Sequence, residues 1–181
     1  MHRRVARYTA AMRHLRFMPV VLTLAWGLWF GGIITLFLAV TSLFATFAPD
    51  KSLAGTAAAG IFRRFEFYQL LLAAVAVAAA AVWRASSSPR AGRATLLLVL
   101  LALAAGEALT STLVVSSRIE RLREARLTDT PQFRRLHGVS MTVYASEAGL
   151  LAVAGLVLPG ALGLNADRLR RGSPDPFVTD A

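Results

Sequence analysis

The sequence predicts an all-α membrane protein, built as an antiparallel bundle of four transmembrane helices. Three observations carry this. Apolar residues make up 56% of the chain and charged residues only 17%, whereas a soluble domain has about half and about a quarter. The charge is segregated: long runs of Ala, Leu and Val hold almost none, and short connectors hold most of the arginine. There are four such runs, each long enough to cross a hydrocarbon core of about 30 Å.

The 181 residues suffice for one modest domain. We divide them into a basic lead (1–16), a membrane domain (17–162) and a basic stop with a disordered tail (163–181). The spans fall at about 17–48, 65–83, 94–117 and 133–162.

The lead, MHRRVARYTAAMRHLR, resembles the start of a signal peptide. The apolar run behind it is far longer than the roughly 7–15 residues of a signal core, so it reads as a retained span. Pro19 suits a first helical turn. Gly27 and Gly31 form a G-x-x-x-G pair that permits close approach of another helix. Trp26 and Trp29 are large apolar anchors. Pro49 and Asp50 end this span, and Ser52 is a candidate N-cap for the next helix.

Leu53–Arg64 reads as an interfacial helical lead into span two. Arg63 and Arg64 stand at its mouth, with Glu66 and Gln69 just inside, and Arg63 and Glu66 are spaced to pair on one face. The polar turn RASSSPRAGR then makes spans two and three antiparallel neighbours. Span three is apolar as far as Gly106–Glu107, and afterwards carries Thr110, Ser111, Thr112, Ser116 and Ser117. RIERLREARL continues it as a polar helix, Thr128–Pro131 breaks it, and span four follows.

The net charge of +10 raises nucleic acid as a partner. The arginines border apolar runs instead of forming one face, and no recognition motif is present, so the lipid bilayer is the expected partner. With four spans, the two termini and the second connector share a side and hold eleven of the twenty Lys and Arg residues. This margin favours cytoplasmic termini. The Arg-rich, Ala-rich makeup fits a bacterial inner membrane protein. The chain has no cysteine, which removes disulfides, thiolate metal sites and cysteine nucleophiles.

Polar groups inside the spans are costly and mark a site or a helix contact. Glu107 and Glu147 lie near the middles of spans three and four, at similar depth. Glu107, Ser111 and Arg118 fall on one face of span three. His137, Ser140, Tyr144 and Glu147 fall along one side of span four. If the two faces meet, a polar seam runs from the membrane centre toward the first and third connectors. Its mouth would hold Arg63, Arg64, Glu66 and Arg118.

Such a seam serves either to hold helices together or to handle a proton, a cation or a small solute. The first reading is preferred, because only two midplane carboxyls are present. A four-helix monomer is small for a transport path, and a homo-oligomer would relieve that objection. Haem is disfavoured, since His14 and His137 lie on opposite membrane sides, roughly 30 Å apart. No G-x-S-x-G or H-E-x-x-H motif is present. We therefore expect a non-enzymatic protein without cofactor or metal.

Three stretches carry a family likeness: WGLWFGGIITLFLAVTSLF (Trp26–Phe44) followed by Pro49, AGTAAAGIFRRFEFYQ (Ala54–Gln69), and FRRLHGVS (Phe133–Ser140). In order and spacing they resemble the transmembrane protein 205-like proteins, known among bacteria as a domain of unknown function. The likeness spans about Leu22–Leu158. It implies a four-helix integral membrane protein of unassigned biochemistry, with no catalytic residues to transfer. Pro49, Phe133, His137, Gly138 and Ser140 match recurring positions of that family. Its eukaryotic members are expected to carry an Asn-type residue around Glu107 and again near Tyr144–Glu147. The carboxyls and the phenol found here depart from that pattern, which argues against shared ion chemistry and leaves room for a shared hydrogen-bonding seam.

Overall fold

A computed structural model describes residues 2–87 and 92–163, with side chains from Phe17 onward. The expected tail lies outside the described residues from 164 on, as does the core of the turn after span two. Helix α1 (His2–Thr46) runs without a break through the basic lead into span one. Helix α2 is Lys51–Ser86. Helix α3 (Gly92–Thr110) passes into a π-helical turn (Ser111–Ser116) and then helix α4 (Ser117–Glu124), so the three form one rod. Helix α5 is Pro131–Ala161.

Local chemistry sets the helix ends. The N-cap of α2 is Asp50, not Ser52: its carboxylate accepts from the Leu53 N–H at 2.9 Å. An Asp directly after Pro49 can fold back on the first free N–H groups, whereas Ser52 already lies inside the helix. Thr130 caps α5 by accepting from the Phe133 N–H at 3.2 Å, and Pro131 fills the first turn, where no N–H is needed.

The rods alternate in direction. Each of α1 and α3 packs against both α2 and α5, which closes a four-membered ring with α2 and α5 on one diagonal. Leu22, Ala25, Trp29, Ile33 and Leu36 form the inward stripe of α1, three or four residues apart as a helix face requires. Alanines 73, 76, 79 and 80 form that of α2, and Leu97, Leu101, Ala104 and Ala108 that of α3. Leu151, Ala154 and Leu158 complete the core from α5.

Outside these stripes the surface is apolar on every side. Leu156 is 83% exposed, and Leu24, Leu71, Leu103 and Leu113 each show about half or more of their surface. A water-soluble protein does not present contiguous apolar patches of this extent. All four rods are long and apolar enough to cross a membrane. The chain is an integral membrane protein.

Close helix approach falls on glycines other than the expected pair. A Cβ at Gly27 or Gly31 would meet nothing, whereas one at Gly32 would come within 2.9 Å of the Phe65 ring. Gly27 and Gly31 sit on the open side of a groove between α1 and α2. The second close approach is at Gly155, where a Cβ would collide with the Trp26 indole.

Candidate functional site

Glu147 is the centre of the polar cluster. Its side chain is fully buried on α5 at mid-bundle. Trp29 of α1 donates its indole N–H to Oε1 at 2.8 Å. Gln69 of α2 donates from Nε2 to Oε1 at 2.7 Å and to Oε2 at 2.9 Å. One carboxyl thus ties α5 to its neighbour α1 and, across the diagonal, to α2. In so apolar an interior, hydrogen bonds are stronger than they are at a wet surface.

The faces of spans three and four do not meet through Glu147. Glu107 meets the residue before it: Ser146 donates to Glu107 Oε1 at 2.8 Å. Adjacent residues on a helix point about 100° apart. Ser146 therefore faces α3 on the lipid side while Glu147 points into the ring. The Oε2 atom of Glu107 is buried and has no partner among the described residues.

Toward the first and third connectors the ring opens into a cavity of about 760 Å³, lined by residues of all four spans. Glu66, only 8% exposed, forms part of its wall. Its Oε1 accepts from the Ser116 hydroxyl and, at 3.4 Å, from the Tyr144 hydroxyl. Tyr144 is almost fully buried, with its ring tilted against Phe62 at 5.6 Å. Ser140 and His137 line the cavity one and two turns further out on α5, and His137 stacks on Phe133 at 6.3 Å between ring centres. Arg63 lines the mouth and pairs with Glu120, not with Glu66 as its spacing suggests. Glu120 lies on α4, across the opening, where the exposed and flexible Arg63 chain can reach it.

Other expected members stand apart. Arg64 and Arg118 are exposed and do not line the cavity. Ser111 is fully buried at the start of the π turn. In a π-helix residues five apart come into line, so Ser111 and Ser116 both turn inward. The same insertion changes the phase of everything beyond it, and Arg118 leaves the face that Glu107 and Ser111 share. Neither Glu107 nor Glu147 lines the cavity.

Trp29 and Gln69 are the residues that sequence reasoning does not identify as partners. Gln69 follows Glu66 by three residues, on the same face of α2, and this is the available signal. Trp26 makes a parallel contact, donating to the Leu151 carbonyl at 2.8 Å, and Trp83 donates to the Ala161 carbonyl at 3.0 Å. All three tryptophans of the chain therefore hydrogen-bond to α5. No group of three or more potential metal ligands occurs among the described residues.

Residues 24–128, more than half of the chain, match a family described as a domain of unknown function (DUF4149). The chain belongs to the DUF4149 family. The matched segment holds Trp29, Glu66, Gln69, Glu107 and Ser116, so the α1, α2 and α3 side of the cluster lies within the DUF4149 region. Helix α5, with Glu147, lies beyond it. No curated protein and no solved structure matches the chain.

Proposed function

We propose that this DUF4149 protein is a non-enzymatic membrane bundle whose midplane polar groups serve to fix helix packing. The observation that carries this reading is the state of Glu147. Both of its oxygens are occupied by donors from two other spans, it is fully buried, and the cavity does not reach it. A carboxyl that loads and releases an ion needs a route and a free coordination position, and Glu147 has neither. The test is a pair of variants in detergent and in proteoliposomes. Glu147→Gln keeps an acceptor for Trp29 and offers an N–H to the unpartnered Gln69 Oε1, so it should fold as wild type does. Glu147→Leu should lower the unfolding midpoint. Equal stability of the two variants would count against the reading.

The second reading is a small proton- or cation-linked transporter, or a transport accessory, using Glu107 and Glu147. One observation favours it: the cavity reaches Glu66, one helical turn from the Gln69 that holds Glu147. Flux into proteoliposomes that is abolished by both Glu107→Gln and Glu147→Gln would place this reading first.

The likeness to the transmembrane protein 205-like proteins is kept as part of the proposal, since its first two stretches supply Trp29, Glu66 and Gln69 to the cluster. We place the protein in a bacterial inner membrane with cytoplasmic termini, on the distribution of Lys and Arg. The cavity then opens away from the cytoplasm. Because the chain has no cysteine, Ser52→Cys introduces a single thiol near the first connector. A membrane-impermeant maleimide added outside the inner membrane should label it. Protection until the membrane is opened would reverse the orientation.

A further inference from the structure

We propose that the cavity between the first and third connectors binds a monovalent organic cation with an apolar body, held by the Glu66 carboxyl at its inner end. The site is built, not incidental. Glu66 is more than nine-tenths buried yet lines the cavity. Both hydroxyl donors, Ser116 and Tyr144, converge on Oε1, and Oε2 accepts none of the hydrogen bonds among the described residues. An acceptor held in place by two donors on its other oxygen, facing a cavity that opens toward the connectors, is a ready-made partner for positive charge.

The neighbouring cations do not fill that role. Arg63 turns to Glu120. Arg123 lies 3.9 Å from the same Glu120 and 5.9 Å from the centre of the Phe133 ring. No Lys, Arg or His nitrogen among the described residues comes within ion-pair distance of Glu66. The carboxyls of Glu66, Glu120 and Glu124 all line the cavity, against two arginines that are already engaged, so an anion would meet repulsion.

The remaining walls select for the body of the ligand. Phe37 and Phe44 of α1, Phe62 of α2 and Met141 of α5 line the space. Aromatic faces attract cations, and a thioether adapts to apolar shapes. The volume of about 760 Å³ lies within the roughly 300–1,000 Å³ of small-molecule pockets. A bare metal ion would leave most of this space and its apolar walls unused.

This inference does not rest on the role of Glu147, which makes no hydrogen bond to Glu66 and lies off the cavity. The test uses the full chain in nanodiscs of phosphatidylcholine, with tetraphenylphosphonium as the cation and tetraphenylborate as its anion of matching shape. We expect saturable phosphonium binding above that of empty nanodiscs, and no saturable borate binding. Glu66→Gln keeps an acceptor for Ser116 and Tyr144 and should weaken phosphonium binding at least tenfold. Phe62→Ala should weaken it several-fold. Phosphonium uptake no greater than in empty nanodiscs overturns the proposal, as does equal binding of both probes or full affinity in Glu66→Gln. The comparison of the two probes on the wild-type protein decides the matter even if Glu66→Gln does not fold.

Discussion

The two ends of this bundle use the same four rods and pack them in opposite ways. Toward the termini the helices close on a tight contact of Ala25, Ala76, Ala80, Leu97, Leu101 and Leu158. Toward the first and third connectors they stand around a cavity. Beyond Leu36 no residue of α1 is buried, and α5 buries none before Ser140. On α2, only Ala54 and Ala58 are buried before Glu66. In the closed half small and large side chains interlock across the ring, whereas in the open half Gly55, Ala58, Ala59 and Ser140 leave space that lipid gives no hydrophobic drive to close. The contrast shows that apolar content alone does not decide whether a membrane bundle is solid. Whether the inward side chains reach one another across the ring does, and the Trp29–Gln69–Glu147 cluster marks the border between the two regimes.

The comparison can be broken most severely at the border. Glu147→Leu strands the Trp29 N–H and the Gln69 amide in the apolar interior and should cost about 2–6 kcal/mol, at roughly 1–3 kcal/mol per orphaned donor. Chemical unfolding in detergent would read this, and a loss under about 1 kcal/mol on this scale would show that the cluster is not the border.

In the closed half, Gly155→Ala drives a methyl into the Trp26 indole and should cost about 1–3 kcal/mol, as overpacking does. The thermal midpoint should fall, and Gly27→Ala, whose Cβ meets open space, serves as the unaffected control. Leu101→Ala should cost less than the roughly 2–5 kcal/mol of a soluble core, because lipid replaces water in the reference state and only the packing term remains.

From the rim of the border outward the effects should be smaller. Glu107→Leu removes one hydrogen bond with Ser146 at a half-buried site and should cost about 0.5–1.5 kcal/mol. Arg63→Ala removes an exposed ion pair and should change stability by no more than about 1 kcal/mol. A larger loss at Arg63 than at Gly155 would invert the comparison between the halves.

The number and order of the spans are legible in the sequence because hydropathy is a property of the linear chain. Glu66, Ser140, Tyr144 and Glu147 can be singled out for the same reason, as polar groups in apolar runs. Their partners cannot. Which way Glu147 points depends on the rotation of α5 about its axis, and that is set by contacts such as Gly155 under Trp26. The donors Trp29 and Gln69 read as an apolar anchor and a polar residue just inside span two until that rotation is known. The π turn has no Pro or Gly to announce it, and a uniform helix through the same residues would keep Arg118 in phase with Glu107. The Gly27–Gly31 pair shows the converse: a spacing that permits close contact does not say that a contact is made.

The attachment of every tryptophan to α5 has a consequence for assembly. Of the four spans, α5 is the one synthesised last. Until it enters the membrane, Trp26, Trp29, Trp83 and Gln69 lack the acceptors they take in the finished bundle. The first three spans are therefore an incomplete intermediate with exposed donors, and arrival of the fourth satisfies all of them together. Indole emission in this protein then changes once as α1 and α2 enter lipid and again on the docking of α5, and the second change times that step as the chain is made.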